Sequence, residues 1–206
     1  MHSRFHRLSV VLSVTLLALG LGACETLPSA KKNSFSFDPA VTAPKNPAAV
    51  QVKLSTGAQR LYVVEGDKVL LATPISVGKA SSPTPAGNFT IYSKQANRRR
   101  VSSPGAGYPM TYWMEFKPAY GMHWGFVKPT PSTMGCVRMP LKSAGKVFQL
   151  VRVGTRLNVA KSQPWDATIG KSLPSLDDGP LSDPPMSYLL SNQVFVDARQ
   201  GKLWKY

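Results

Sequence analysis

The amino-acid sequence predicts a mainly β domain with one packed α-helix, and three features lead to this prediction. Between residues 50 and 116, short segments rich in β-branched and aromatic residues alternate apolar with polar positions, as half-buried strands do. Glu65-Gly66-Asp67 separates two of these segments, which predicts a tight hairpin. After Pro140, apolar residues recur at helical spacing as far as Gly154, and this pattern predicts the helix.

The boundaries of the predicted elements follow from this alternation. Strands are predicted at Val50–Leu54, Arg60–Val64, Lys68–Val77, Phe89–Tyr92, Thr111–Phe116 and Thr155–Val159. The apolar face of the helix consists of Leu141, Ala144, Val147, Phe148 and Val151. Near the end of the chain, Val194–Val196 and Lys202–Tyr206 flank Gln200-Gly201, which predicts a last hairpin.

The first residues predict export. Two arginines precede an apolar run over residues 8–21, which is the pattern of a secretory signal and is shorter than the ~20 residues of a spanning helix. The run ends in Leu21-Gly22-Ala23-Cys24, which resembles the lipobox of bacterial lipoproteins and so implies lipidation at Cys24. Glu25 follows, where an aspartate would resemble the signal for inner-membrane retention. We therefore expect a periplasmic protein anchored in the outer membrane; an ordinary signal cut before the cysteine, without lipidation, is the alternative.

Composition divides the chain into four predicted parts. The segment after the signal is rich in Pro, Ser, Lys and Ala, as tethers are, and the last 44 residues combine several aspartates with prolines. The parts are a signal peptide (1–23), a lipidated tether (24–48), a folded domain (49–162) and an acidic, Pro-rich C-terminal extension (163–206).

Positive charge is concentrated in the predicted domain. The chain has 25 Lys and Arg against 10 Asp and Glu, a net charge of +15, and residues 49–162 hold 16 of the basic residues but three acidic ones. Such a field attracts polyanions. Arg98-Arg99-Arg100 is the most basic patch, yet export argues against nucleic acid as a partner, and a solvated loop explains the triplet equally well. In a cell envelope the available anions are wall carboxylates and lipid headgroups.

Cys136 and His123 form the candidate reaction centre. Because the chain has two cysteines, lipidation at Cys24 would leave Cys136 unpaired in an oxidising compartment. His123 lies 13 positions upstream and could take the thiol's proton. Gly135 allows close approach of a backbone, and Arg138 suits an anionic substrate. The alternative is a buried, inert thiol, which most free cysteines are.

These residues belong to a pattern that is similar to the YkuD-like L,D-transpeptidase family. Gly121-Met122-His123 is followed by Thr133-Met134-Gly135-Cys136-Val137-Arg138-Met139-Pro140, and supporting segments occur in the same order between Ala49 and Val159. The resemblance implies a YkuD-like β-sandwich with one packed helix over the domain 49–162. It implies no metal and no organic cofactor.

The resemblance also implies a reaction on peptidoglycan. Cys136 would attack the diaminopimelate carbonyl of a tetrapeptide stem, release the terminal D-alanine and hold the stem as a thioester until an amine accepts it. His123 would act as the base, and the backbone carbonyl of Trp124 is expected to orient its ring. Backbone amides around Gly135 and Cys136 are the expected donors to the oxyanion.

Six residues are candidates for substrate binding, and all of them except Gly135 have a structural alternative. Arg138 could pair with a stem carboxylate or form an internal salt bridge. Thr133 could join the oxyanion region or satisfy a backbone group in the turn. The aromatic stretch could line the donor cleft or belong to the core. The six are Arg138, Gly135, Thr133, Tyr108, Met110 and Trp113.

Three classes of function remain compatible with the sequence. A transpeptidase would cross-link stems or attach a lipoprotein to the wall, whereas a hydrolase with the same nucleophile would be an L,D-carboxypeptidase or an amidase that detaches a wall-bound lipoprotein. A non-catalytic, peptidoglycan-binding lipoprotein is the third class. His2 and His6 lie in the signal, so we expect no histidine-rich metal site in the mature chain. The sequence leaves the oligomeric state open.

Overall fold

Residues 32–205 of the 206-residue chain are described by a computed structural model. The predicted signal peptide, the lipidation site Cys24 and the first part of the predicted tether lie outside the described residues and stay predictions. Within the described part of the chain, every helix is too short or too polar to cross a bilayer.

Nine strands and three α-helices make up the described fold. The strands are β1 (Val50–Ser55), β2 (Arg60–Glu65), β3 (Lys68–Pro74), β4 (Gly87–Thr90), β5 (Ser93–Arg99), β6 (Pro109–Lys117), β7 (Tyr120–Trp124), β8 (Val137–Met139) and β9 (Arg156–Ala160). The helices are α1 (Leu141–Leu150), α2 (Met186–Leu190) and α3 (Gln193–Arg199). The prediction of a mainly β fold is confirmed.

The strands form two sheets. One has the order β3-β2-β1-β9-β4 and the other β5-β6-β7-β8. The predicted hairpin is present as β2 and β3, which pair antiparallel from Glu65 opposite Lys68 to Arg60 opposite Pro74. Two pairs are parallel, β1 with β9 and β7 with β8.

Alternation along the strands produces a single core. In β1, Val50, Val52 and Leu54 are buried while Gln51 and Lys53 are only partly covered, so one face of the sheet points inward. The other sheet and α1 contribute inward-facing residues to the same cluster. Those contributions include Met114, Met122, Trp124, Val137, Met139, Leu141, Ala144 and Val147.

The single predicted helix is confirmed as α1, which packs against β6 and β7. Its apolar face is buried, as the spacing of the sequence indicates. At its C-terminal end, the ammonium of Lys94 on β5 donates to the carbonyls of Phe148 and Val151, at 2.7 and 2.5 Å. A cation at this end of a helix neutralises carbonyls that have no partner within the helix.

The predicted last hairpin is wrong. Residues 193–199 form α3, which buries Val194, Phe195 and Ala198, and the residues after it form turns. The spacing of these apolar residues matches one face of a helix as well as it matches a strand, and burial against β6 favours the helix. The C-terminal region therefore contributes residues to the core.

The segment predicted as a tether is packed on the domain from Asn33 onward. Phe35 is buried in the core, and the Lys146 ammonium pairs with the Asp38 carboxylate. The buried carboxylate of Asp178 accepts hydrogen bonds from the Ser34 backbone N–H and hydroxyl, both at 2.6 Å. These contacts fix residues 33–38 on the domain, a role that composition alone did not indicate.

Candidate active site

His123, Cys136 and Arg138 share one face of the four-stranded sheet because of the register of β7 and β8. His123 lies opposite Arg138 in the parallel pair, and Cys136 directly precedes β8. Side chains two positions apart on a strand point to the same face, so the thiol lies on the side of the imidazole and the guanidinium. A parallel pair needs a connection of about a dozen residues, and residues 125–136 supply it. The spacing between base and nucleophile is therefore a consequence of strand topology.

The imidazole of His123 is buried and oriented by its neighbour. Its Nδ1 lies 2.5 Å from the backbone oxygen of Trp124. Since a carbonyl only accepts hydrogen bonds, Nδ1 carries the hydrogen and Nε2 is left as the basic nitrogen. The orienting role expected of the Trp124 carbonyl agrees with this contact.

Burial lowers the pKa of His123 to about 4, with a further lowering by the positive charge of Arg138 and an opposing effect of the hydrogen bond to Trp124. An imidazole with this pKa is neutral at physiological pH. It can therefore accept a proton from a thiol without first losing one of its own.

The thiol of Cys136 is half-buried and protonated at rest. Burial raises the pKa of Cys136, while the backbone N–H of Gly121 and the charge of Arg138 act in the opposite direction. The sulfur lies 3.7 Å from the backbone oxygen of Ala119, to which the thiol donates. The thiol of Cys136 and the imidazole of His123 are therefore both neutral at rest.

The loop before Cys136 is closed by its own polar groups. The Thr133 hydroxyl donates to the backbone oxygen of Cys136 at 2.6 Å and accepts from the N–H of Gly135 at 3.1 Å. Thr133 therefore satisfies backbone groups of the turn, which is the structural alternative of the sequence analysis. The Gly135 amide is engaged by Thr133 in this structure, and the expected donation to an oxyanion by the Gly135 and Cys136 amides stays a prediction.

Gly135 is required at its position for two reasons. Its φ is +108°, a conformation that side chains rarely adopt, and a Cβ there would lie 2.5 Å from the ring of Tyr120. Its carbonyl accepts from the Thr84 hydroxyl at 3.0 Å. The glycine thus lets the loop before the thiol pack against the β6–β7 turn.

Trp113 and Tyr112 point in different directions from β6. The Trp113 ring is 2% exposed and lies 5.7 Å from the His123 ring at an angle of 35°. Tyr112 has a φ of +61° and packs on Phe148 of α1, at 5.6 Å. Trp113 is therefore part of the wall behind the base, while Tyr112 belongs to the packing around the helix.

Tyr108 and Met110 are both partly exposed, at the end of β6 that follows the β5–β6 loop. Burial raises the pKa of Tyr108, and the charge of Arg138 acts against this rise, which places that phenol near the guanidinium. Met110 pairs with Arg98 across the β5–β6 ladder. Both side chains are accessible, and their role in lining a donor cleft stays a prediction.

Two residues of the arginine triplet, Arg98 and Arg99, form the end of β5, and Arg100 directly follows the strand. The Arg98 guanidinium lies 4.9 Å from the centre of the Trp113 ring. Arg99 donates to the backbone oxygens of Leu189 and Ser191, at 2.9 and 2.7 Å, and so ties β5 to the C-terminal region. Arg100 is close enough to Cys136 for its charge to act against the rise in the thiol's pKa. Each arginine thus has its own structural partner.

Sequence reasoning missed Glu115, which lies opposite Gly121 in the pairing of β6 with β7. Its carboxylate accepts from the indole N–H of Trp113 at 3.2 Å and from the backbone N–H of Ala119 at 3.3 Å. A lone acid on an alternating strand usually marks a solvated position. Its one signal was that it is the only acid between Asp67 and Asp166 in a basic chain.

One further surface feature lies apart from these residues. A groove of about 540 Å³ is formed on the five-stranded sheet, and none of the candidate site residues lines it. Within residues 32–205, no three His, Cys, Asp or Glu side chains come together in a metal-binding cluster.

Comparison with known proteins places this site in a family. The model of the L,D-transpeptidase catalytic domain, YkuD, matches residues 48–159. Proteins named L,D-transpeptidase YkuD from Bacillus licheniformis and Bacillus subtilis are each 32% identical, over 118 and 113 residues. These matches cover 55% and 52% of this chain and 66% and 64% of the relatives' own length, just under two thirds.

A solved structure supports the same assignment at the level of the fold. An L,D-transpeptidase (Yku) from Stackebrandtia nassauensis superposes with a TM-score of 0.50 at 23% identity, covering 60% of each chain. The family model spans more than half of the present sequence and includes both His123 and Cys136. The chain therefore belongs to the L,D-transpeptidase catalytic domain family.

Proposed function

We propose that the protein is a cysteine-dependent L,D-transpeptidase that acts on tetrapeptide stems of peptidoglycan. The observation that carries this proposal is the strand register, which places the half-buried thiol of Cys136 on the face of the sheet that carries His123, a neutral imidazole whose free nitrogen is Nε2. An amide carbonyl needs a strong nucleophile, and a thiol becomes one when a neighbouring base removes its proton.

The reaction proceeds in two steps whose atoms balance. Sγ of Cys136 attacks the diaminopimelate carbonyl, its proton passes to Nε2 of His123, and the C–N bond to the terminal D-alanine breaks. The same proton leaves with the D-alanine amine, which gives a thioester and a neutral imidazole. An acceptor amine then attacks the thioester, loses a proton through His123, and restores the thiol.

The oxyanion of each step needs donors near the sulfur. The backbone N–H of Cys136 is the donor that we assign, because the Gly135 N–H is held by Thr133. Removing one such donor from an enzyme costs about 10²–10³ in kcat. The Thr133 contacts support this role indirectly, since they fix the backbone on both sides of Gly135 and Cys136.

Arg138 is assigned to a carboxylate of the stem peptide. Its backbone N–H and oxygen exchange 2.9 Å hydrogen bonds with Ser76, which fixes the strand on which the guanidinium is carried. Its Cβ, Cγ and Cδ lie across Gly125, where an added Cβ would approach them within 3.3 Å or less. No acidic partner of Arg138 is found among residues 32–205, which favours the substrate role over an internal salt bridge.

Acylation by a carbapenem tests the nucleophile. The full-length protein is incubated with the drug, and its intact mass is compared with that of Cys136→Ala. We expect one drug mass on the native protein and none on the variant. A native protein without the adduct would favour a non-catalytic wall-binding lipoprotein.

Product analysis separates transfer from hydrolysis. With purified tetrapeptide muropeptides, transfer gives dimers, whereas hydrolysis of the same thioester gives monomeric tripeptide. We expect dimers when a diaminopimelate amine is the acceptor, or a stem joined to a lysine when a lipoprotein is the acceptor. Tripeptide alone would identify an L,D-carboxypeptidase, and release of a wall-bound lipoprotein would identify an amidase.

We also propose that the enzyme is held in the periplasm by lipidation at Cys24, at the outer membrane. The motif Leu21-Gly22-Ala23-Cys24 and the residue Glu25 support this proposal. Metabolic labelling with a fatty acid should mark the native protein and not Cys24→Ala, and fractionation should place the label in the outer membrane. Equal labelling of both proteins would contradict the anchor.

A further inference from the structure

We propose that Glu115 is a positioning residue of the reaction centre, acting on His123 through the Trp113 indole and on Cys136 through the β6–β7 turn. This inference rests on the proposed function, because it concerns the same thiol and imidazole. Glu115 forms no hydrogen bond with the Cys136 thiol or the His123 imidazole in the structure, so it is not a catalytic residue. Its carboxylate instead holds two groups that do touch them.

The first connection runs through Trp113. One oxygen of Glu115 accepts from the indole Nε1–H at 3.2 Å, which fixes the rotation of the ring about its Cβ–Cγ bond. The ring faces His123 on one side, at 5.7 Å between centroids, and Arg98 on another, at 4.9 Å. It also covers Gly121, where an added Cβ would lie 2.6 Å from the ring. The indole is therefore fitted against the strand that carries the base.

The second connection runs through the turn that joins β6 to β7. The other oxygen of Glu115 accepts from the Ala119 N–H at 3.3 Å. Ala119 has a φ of +65°, a conformation that non-glycine residues adopt only when their surroundings hold them there. Its carbonyl accepts from the Cys136 thiol at 3.7 Å, and the next residue, Tyr120, packs on Gly135. The turn thus contacts the thiol and the loop that precedes it.

Electrostatics alone would not favour an acid at this position. The negative charge of Glu115 contributes to raising the pKa of Cys136, which opposes formation of the thiolate. If Glu115 acts by positioning, removing its carboxylate should lower the reactivity of Cys136 toward a substrate-like reagent. If it acts through its charge, the same change should raise that reactivity. If charge dominated, loss of the carboxylate would make the thiol more reactive toward every electrophile.

Two reagents separate these predictions. Iodoacetamide alkylates any accessible thiolate and makes little demand on geometry, whereas acylation by a carbapenem needs the thiol, the base and the oxyanion donor in register. Both second-order rate constants are measured by intact mass on the full-length protein. The variants are Glu115→Gln, which keeps one acceptor oxygen, and Glu115→Ala, which keeps none. Asp67→Asn removes one exposed negative charge from the β2–β3 turn and is the matched control.

We expect acylation to slow about 10- to 100-fold in Glu115→Ala and less in Glu115→Gln, with alkylation unchanged or faster in both. Asp67→Asn should change neither rate by more than about twofold. Trp113→Phe replaces the indole by a smaller aromatic ring without an N–H donor, so combining it with Glu115→Gln should cost less than the sum of the two losses. Parallel changes in both rates, or acylation at the native rate in Glu115→Ala, would overturn the proposal.

A spectroscopic measurement keeps the test independent of the proposed function. The ring ¹⁵N resonances of His123, assigned by their absence in His123→Gln, report the tautomer and its environment. We expect them to shift in Glu115→Ala, because the indole that faces the ring is released, and to stay in place in Asp67→Asn. If the native protein were not acylated at all, the proposed function would fail, whereas unshifted His123 resonances in Glu115→Ala would reject the role of Glu115.

Discussion

His123 is kept neutral by its surroundings, and this decides how the centre responds to acid. Burial disfavours the charged imidazole, and the guanidinium of Arg138 repels it, so the pKa falls from the ordinary 6.5 to about 4. The thiol is also neutral at rest, because burial raises its pKa. A neutral pair keeps its reactivity over the pH range in which an exposed histidine would already be protonated.

The acid limb of kcat/KM should therefore lie near pH 4. Activity needs the unprotonated imidazole, so it is complete well above the pKa and is lost as the pH falls through it. Arg138→Gln removes the positive charge that helps to lower this pKa, so its acid limb should move toward higher pH whatever happens to the absolute rate. A pH profile of carbapenem acylation, recorded for the native protein and for Arg138→Gln, measures the acid limb of each. A native limb near 6.5, or no movement in the variant, would contradict this electrostatic account.

The residues to which we assign the chemistry were identifiable because they lie in one pattern of the sequence. His123, Cys136 and Gly135 were identified from motif and spacing, and the carbonyl of Trp124 was expected to hold the ring. Glu115 was not found, because its role depends on a turn conformation and on the direction of one indole ring, and neither is encoded in spacing.

At the scale of elements, the parallel pair β7–β8 brings base and nucleophile to one face. Its short strand β8 is fixed on the other side by Ser76, and the loop before it is packed on the β6–β7 turn through Gly135 and Tyr120. The candidate site therefore lies where the connection from β7 to β8 returns to the four-stranded sheet. The position of the Cys136 thiol depends on the conformation of the loop that precedes β8.

Gly135→Ala tests this dependence. The substitution adds a Cβ at a φ of +108° and 2.5 Å from the Tyr120 ring, so backbone and turn must both shift. We expect acylation to fall at least 100-fold, because displacements of about 1 Å at a reaction centre cost this much. The rate is measured by intact mass, and thermal unfolding is measured beside it.

Gly154→Ala is the matched control for that substitution. Gly154 has a φ of +95° and open space around its Cβ position, so it meets the same backbone restriction without the clash. It should lose some stability and keep the native acylation rate. Equal losses of rate in both variants would show that backbone strain, and not the packing on Tyr120, explains the effect.

Six strands were predictable from alternation, whereas β5, β7, β8, α2 and α3 were not, and β5 and α3 show why. β5 was missed because its residues are almost all polar or charged, and its pairing with β6 is stabilised by contacts such as Arg98 on Trp113. α3 was taken for a strand because Val194, Phe195 and Val196 suit either structure. In both cases tertiary packing decides the conformation.

At the scale of the whole molecule, distant parts of the chain close around the catalytic sheet. Asp178 in the C-terminal region accepts from Ser34 near the start of the described chain and from the Val127 N–H at 2.7 Å. Val127 lies in the connection between His123 and Cys136. One buried carboxylate therefore links both ends of the fold to the segment that separates base from nucleophile.

Asp178→Ala should destabilise the protein markedly. It leaves the buried donors of Ser34 and Val127 without their acceptor, and each such group costs about 1–3 kcal/mol. Urea unfolding measures the loss, and the exposed Asp67→Asn should stay within about 0.5 kcal/mol of the native protein. A variant as stable as the native protein would mean that this carboxylate does not hold the segments together.

Release of D-alanine tests the central claim most directly. The full-length protein is incubated with purified disaccharide tetrapeptide, free D-alanine is measured, and the intact protein mass is followed over the first turnovers. We predict D-alanine release together with an adduct on Cys136 that equals the donor minus D-alanine, with neither in Cys136→Ala and a rate about 10²–10⁴-fold lower in His123→Gln. Tetrapeptide left intact by the native protein, or D-alanine released at the native rate by Cys136→Ala, would contradict the account.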